Sequence, residues 1–288
     1  MSSTQQTFDH SDLLLEVNSL SVEFRNHAGN TIKAVREVSF NLGKERLGIV
    51  GESGSGKSTV GRAILRLIPA SGQVKAKRIA LNGVDLKTMN ENQMRQIRGT
   101  QISMIMQDPQ HALNPVMRAG DQIAEAFRLH NDVKKSEIQK KVLDILLAVR
   151  IRDPERVYRA YPHELSGGMG QRVMIAMMLI PDPSLLIADE PTSALDVTVQ
   201  MQILAIIDDL VQEKGMGLIF ISHDLNLVAS FCDRVLIMYA GRVVEECRAS
   251  DLSKAKHPYT QGLLSCLPDI NNPRKNLTTL TRDPKWMD

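Results

Sequence analysis

Gly51-Glu52-Ser53-Gly54-Ser55-Gly56-Lys57-Ser58-Thr59 matches the pattern G-x-x-x-x-G-K-[ST]. Small residues let a backbone curl until successive N–H groups converge on one anion. Lys57 would set an ammonium against the outer phosphates of a nucleotide, and Ser58 would offer a hydroxyl to Mg²⁺. The flanks agree: Leu47, Ile49 and Val50 predict a short apolar strand, and Val60 to Leu67 predict a helix whose positive end faces the same phosphates. Chance would place the four fixed residues together in roughly one chain of this length in a hundred. A strand, a phosphate loop and a helix in that order predict a nucleotide-binding α/β domain.

Bulk properties narrow the class. The 288 residues, 43% hydrophobic and 24% charged, allow one large domain or two small ones. A net charge of +2 with interleaved signs and no basic block gives no reason to expect nucleic acid. Cys232, Cys247 and Cys266 are odd in number and widely spaced, which predicts reduced thiols and neither a disulfide framework nor a zinc site. Met1 to Asp12 is polar, unlike a secretory signal, and is expected to be a disordered lead-in. The longest apolar run, Val173 to Pro181, is far short of the ~20 residues that cross a bilayer.

Outward from the phosphate loop, Leu13 to Phe24 and Ala34 to Leu42 read as strands around a turn-rich Asn26-His27-Ala28-Gly29-Asn30. The alternation through Val35, Glu37 and Val38 is imperfect, so the register is left open. Phe24 could stack on an adenine or fill a core. Asn82-Gly83 signals a turn after a strand at Arg78 to Leu81, and Ile102 to Gln107 is a further strand. From there to Leu179 the pattern is helical. Ser136 with Gln139 reads as a capping box, Ile138, Val142, Ile145, Leu146 and Val149 share one face, and Asp153-Pro154 reads as a cap with proline at the first position. Strands are then predicted at Leu185 to Asp189, Gly217 to Ser222, Val235 to Tyr239 and Arg242 to Glu245, with a helix at Val197 to Val211. Strands alternating with helices predict a mostly parallel sheet with ligands at the strands' C-terminal ends.

Two further stretches carry chemistry. The strand Leu185 to Asp189 delivers Asp189 and Glu190, a carboxylate for Mg²⁺ and another to orient the attacking water in phosphoryl transfer. In Leu165-Ser166-Gly167-Gly168-Met169-Gly170-Gln171-Arg172, serine and glycines open a helix continued by Val173, Ile175, Ala176 and Leu179, which makes a second anion-binding helix end.

With these residues in this order, Leu13 to Leu267 resembles the ATP-binding subunit of an ATP-binding-cassette (ABC) transporter. The resemblance implies an α/β, P-loop ATPase core of the ABC type (13–107 and 181–245) with an N-terminal antiparallel β subdomain. It also implies an inserted α-helical subdomain (108–180) and a C-terminal extension (246–288). ATP and Mg²⁺ are the implied ligands, held by residues Gly51 to Thr59, with Phe24 on the adenine and Ser58, Gln107 and Asp189 at the metal. Glu190, His223 and Gln107 take the catalytic positions. Ser166, Gly167, Gly168 and Gln171 would close over the ATP of a second ABC ATPase subunit, identical or related, and Ser193, Ala194, Leu195 and Asp196 would link the two sites. Two transmembrane permease subunits, reached through the helical block, and an extracytoplasmic solute-binding protein complete the implied assembly. Its place would be the cytoplasmic face of a bacterial inner membrane, with this subunit peripheral. Gly170 departs from the family's usage, where a longer polar residue is commoner.

Lys256-His257-Pro258-Tyr259-Thr260-Gln261-Gly262-Leu263-Leu264 resembles the tail of ATPases serving oligopeptide, dipeptide and nickel importers, as do Asp108-Pro109, Leu113-Asn114-Pro115 and Ala194 to Gln200. Peptide uptake is the leading expectation. Import of nickel or a metal chelate by the same group, or service to an exporter or lipoprotein-release system, are the alternatives.

Overall fold

The computed structural model describes residues 13–25, 29–106, 112–193 and 195–266, together with Trp286. In chain order the elements are β1 (Leu15–Arg25), β2 (Thr31–Leu42), β3 (Arg46–Val50), α1 (Lys57–Ile64), β4 (Gly72–Lys75), β5 (Arg78–Leu81) and β6 (Val84–Asp85). Then come α2 (Glu91–Ile97), β7 (Ile102–Ile105), α3 (Ala119–Arg128), α4 (Lys135–Ala148), α5 (Pro154–Arg159), α6 (Gly167–Leu179), β8 (Leu185–Asp189) and α7 (Val197–Lys214). The last are β9 (Gly217–Ser222), α8 (Leu225–Phe231), β10 (Arg234–Tyr239), β11 (Arg242–Arg248) and α9 (Pro258–Cys266). These elements fall into two compact units, one of Met1–Met89 with Ile219–Asp288 and one of Asn90–Leu218.

In the first unit, β2, β1, β5 and β6 lie side by side in an antiparallel sheet, with β4 also paired to β1. The imperfect alternation of β2 has a physical cause. Ser19 and Glu37 both take positive φ, 51° and 52°, and the pairing register shifts between Leu20↔Val38 and Val22↔Val35. These are bulges, and each moves the following side chains to the other face. The expected turn at Asn82-Gly83 joins β5 to β6, with positive φ at both residues. A second sheet runs β11-β10-β3-β9, with β3 parallel to β10 and the β10–β11 hairpin closed at Ala240-Gly241. Arg234 is buried at the start of β10. It donates to Glu45 Oε1 at 2.6 Å, to Glu246 and to the Asn41 carbonyl, so that one side chain ties three segments together.

In the second unit, β7 and β8 pair in parallel and helices surround them. The core is apolar: Ile123 and Ala124 of α3, Ile138, Val142 and Leu146 of α4, Val173 to Ala176 of α6, and Ile203, Ile206 and Leu210 of α7 are all buried. The face predicted for α4 is therefore correct, but its cap is not. The helix begins at Lys135 after an extended Lys134, whose carbonyl receives the N–H groups of Glu137 and Ile138. Ser136 thus lies inside the first turn and cannot act as the cap. At α5 the expected cap forms, with Asp153 accepting from the Arg156 N–H and Pro154 at the first position. Among the described residues no helix is long and apolar enough to cross a membrane.

Candidate active site

The phosphate loop lies in the first unit, between β3 and α1. Its shape depends on two glycines. A Cβ at Gly51 would lie 2.1 Å from the Met238 carbonyl oxygen, and one at Gly56 would lie 2.3 Å from that of Ala34. At both positions only hydrogen leaves room for the neighbouring backbone. Gly56 also takes φ 98° and acts as the cap of α1 without any side-chain hydrogen bond to the first-turn amides. The helix starts at Lys57 within the motif, three residues before the predicted Val60, and ends at Ile64 where Arg66 turns to positive φ.

Lys57 is 5% exposed, and its ammonium is gripped by its own loop: Nζ donates to the Gly51 carbonyl at 2.8 Å and to that of Glu52 at 2.9 Å. The Gly241 N–H donates to the Ser55 carbonyl at 3.1 Å, so the β10–β11 turn braces the loop from outside. Ser53 and Gly54 are exposed at its tip. Ser55 Oγ is buried with no hydrogen-bond partner among the described residues. An orphaned hydroxyl in a loop whose glycines free its amides fits a phosphate ligand. Ser58 and Thr59 are half-buried on the first turn of α1. Phe24 ends β1 half-buried, close enough to Gly72 that a Cβ there would lie 2.7 Å from the ring. His223 is exposed directly after β9, just before Asp224, whose carboxylate caps α8 by accepting from Asn226 and Leu227.

The second unit holds the carboxylates and the serine–glycine helix. Asp189 is 3% exposed at the end of β8. Glu190 follows in the left-handed region, φ 47°, which an L residue with a long side chain occupies at a cost. Donors from Ser193, N–H and Oγ, both reach the Glu190 carbonyl at 3.3 Å and hold that turn. Asp196 caps α7 through the Val199 N–H at 3.0 Å, and next to it Val197 is 75% exposed.

Ser166 caps α6, its Oγ accepting from the Met169 N–H at 3.4 Å, and Ser166 and Gly167 are exposed. Gly168 has no room for a side chain, since a Cβ there would lie 2.9 Å from Val199 Cγ1. Gly170 is buried, yet a Cβ there would come within 4 Å of none of the described residues outside its own helix turn. Gln171 is placed differently from the exposed cap: it is 1% exposed, and its amide donates to the carbonyl of Pro191, the residue after Glu190. Gln107 and Ala194 lie outside the described residues.

Two residues that pattern reading did not single out shape these surroundings. Gln122 is buried and fixes the Leu113-Asn114-Pro115 segment, accepting from the Asn114 N–H at 2.8 Å and donating to the carbonyls of Asn114 and Met117 at 3.0 Å. Tyr259 is fully buried against the phosphate loop, where its hydroxyl accepts from the Glu52 N–H at 3.1 Å. A lone glutamine on a helix gives no signal in a sequence; Tyr259 stood inside a visible motif but had no stated partner.

The comparisons with known proteins agree with this chemistry. Residues 35–193 match the family described as ABC transporter. A probable peptide ABC transporter ATP-binding protein of Sinorhizobium fredii is 47% identical over 274 residues, 94% of this chain and 82% of that one. The oligopeptide transport ATP-binding protein of Bacillus subtilis is 45% identical over 275 residues, 94% of this chain and 76% of that one. Among solved structures, a dimeric bacterial ABC transporter cassette superposes with a TM-score of 0.72 at 26% identity, covering 82% of this chain and 99% of that one. A related structure of the same cassette is described as a post-hydrolysis state bound to ADP and phosphate. This chain belongs to the ABC transporter family, as one of its ATP-hydrolysing members.

Proposed function

We propose that this chain uses ATP hydrolysis to drive the import of peptides through a membrane permease. The observation that carries the reading is the 44–47% identity, over nearly the whole chain, to proteins named for peptide, oligopeptide or dipeptide transport. The chain would sit at the cytoplasmic face of the inner membrane, held by two permease subunits served by an extracytoplasmic binding protein. The helical block of about residues 108–180 is the proposed docking element, and Val116, 79% exposed beside Pro115, suits such a contact.

Within the site, residues Gly51 to Thr59 bind the phosphates, Lys57 neutralises the outermost of them, and Phe24 carries the adenine. Ser58, Asp189 and Gln107 would hold Mg²⁺, which supplies charge stabilisation for the transferred group. Glu190 orients and deprotonates the attacking water, and His223 braces it. A second cassette, identical or related, brings the α6 end of Ser166, Gly167 and Gly168 to the nucleotide held by its neighbour. Ser193, Ala194, Leu195 and Asp196 connect the two. The exposure of Ser166 and Gly167, of Ser193 and of Val197 supports that face as the one a partner covers. Gln171 acts from inside the chain, on the turn that carries Glu190.

Uptake assays in a strain lacking this subunit test the reading. Loss of labelled di- or oligopeptide uptake, restored by the wild-type chain, is the expected result. Normal peptide uptake with loss of nickel uptake would replace peptides by the metal-chelate reading.

A further inference from the structure

We propose that Tyr259 is a positioning residue for the phosphate loop, acting through the Gly51–Glu52 peptide on Lys57. The inference rests on the reading of Gly51 to Thr59 as the ATP-binding loop.

A trans peptide is a rigid plane whose N–H and C=O point in opposite directions. In the Gly51–Glu52 peptide, the N–H donates to Tyr259 Oη at 3.1 Å. Its C=O accepts from Lys57 Nζ at 2.8 Å. One plane is therefore held at both ends, by a phenol on one side and by the loop's ammonium on the other. Rotating that plane would carry the carbonyl away from Lys57. Gly51 has no Cβ to resist the rotation, so the restraint has to come from what the plane binds.

The surrounding residues show how Tyr259 is held in place. Glu245 of β11 accepts from the backbone N–H of Lys256 at 2.6 Å and of His257 at 3.3 Å. His257 Nδ1 then accepts from the Tyr259 N–H at 3.2 Å, and Pro258 opens α9. Gln261 Nε2 clamps the Ala255 carbonyl at 3.0 Å. The ring itself packs on Tyr239, with centroids 4.5 Å apart, and on Trp286 at 5.9 Å. His257-Pro258-Tyr259-Thr260-Gln261 is thus a mount: most of its residues fix one hydroxyl against the phosphate loop. A segment beyond the ATPase core contributes to the geometry of the nucleotide grip.

Tyr259→Phe keeps the ring and removes the hydroxyl. In the full-length chain, ATP affinity by calorimetry should weaken about two- to tenfold, the worth of one such hydrogen bond. KM for ATP should rise by the same factor, with kcat reduced less than KM is raised and the melting temperature within a few degrees of wild type. Tyr259→Ala, which also removes the ring, should lower the melting temperature as well. Wild-type ATP affinity in Tyr259→Phe would overturn the proposal, and so would a loss of stability with unchanged affinity in the folded protein. Lys57→Ala, measured alongside, separates the two readings. If it loses ATP affinity while Tyr259→Phe does not, the positioning role alone fails; if it keeps wild-type affinity, the phosphate-loop reading fails.

Discussion

The side-chain amide of Gln171 donates to the carbonyl oxygen of Pro191, so the buried side of the serine–glycine helix grips the turn that holds Glu190. Glu190 sits at φ 47°, a conformation that persists only when its surroundings enforce it. Gln171 and Ser193 supply that enforcement, Gln171 at the Pro191 carbonyl and Ser193 at the carbonyl of Glu190 itself. A helix end proposed to meet a partner's nucleotide is in this way tied by one side chain to the carboxylate proposed to direct water.

Gln171→Leu should therefore damage hydrolysis more than binding. A buried carbonyl left unpartnered costs about 1–3 kcal/mol, and here the cost falls on the Glu190 turn. Steady-state ATPase measurements should show kcat lowered about tenfold or more, while ATP affinity stays within about twofold. Equal losses in both would mean that Gln171 serves general stability only.

Gly168 and Gly170 should respond in opposite ways to alanine. A methyl at Gly168 meets Val199, whereas at Gly170 it comes within 4 Å of none of the described residues outside its own helix turn. Helix propensity alone favours alanine by up to about 1 kcal/mol. Gly170→Ala should raise the melting temperature by about 1–3 °C, and Gly168→Ala should lower it; thermal melts of both variants check the contrast.

How much of this was legible in the sequence depended on whether a residue's partner was local. The phosphate loop, the β8 carboxylates and the Ser166 cap announce themselves because glycine spacing, an apolar run and a capping residue act over a few positions. Bulges at Ser19 and Glu37 blurred β1 and β2, since an extra residue breaks the alternation on which register depends. The start of α4 is misread from the sequence because Ser136 and Gln139 carry the right letters at the right spacing inside a helix that has already begun at Lys135. Gln171–Pro191 and Tyr259–Glu52 were invisible for another reason: each joins distant positions through a single hydrogen bond, and no pattern encodes it.

Arg234 should dominate the stability of the first unit. It is buried with acceptors from Glu45, Glu246 and Asn41, and removing one member of a buried ionic cluster strands the others. Arg234→Met should cost about 3 kcal/mol or more in denaturant unfolding. Beside it, burial tends to raise the Asp233 carboxyl, but hydrogen bonds and charge from Arg46 outweigh this and hold it below its usual range. Because the folded value is depressed, this pair's contribution is complete above the unfolded pKa of about 3.9 and is lost as the pH falls through the folded one. Both side chains are partly exposed, so the stability gap between wild type and Asp233→Asn should be under about 1 kcal/mol, and should shrink below about pH 4.

The thiols of buried Cys232 and half-buried Cys247 should be inert. Burial, with Asp233 beside it, pushes Cys232 up to about 12, and burial with Glu245 nearby pushes Cys247 to about 11. At pH 8 neither holds appreciable thiolate, the nucleophilic form. Iodoacetamide labelling followed by mass spectrometry should find both unmodified in the native protein and all three cysteines modified in urea.

Glu190→Gln tests the central claim most directly. Replacing the carboxylate by an amide of the same shape removes the proton acceptor and leaves the phosphate loop as it was. The variant should bind ATP with near-wild-type affinity, hydrolyse it very slowly, and accumulate as a nucleotide-bound dimer on size-exclusion chromatography. Near-normal turnover in this variant would contradict the assignment of Glu190, and with it the account of how this chain breaks down ATP.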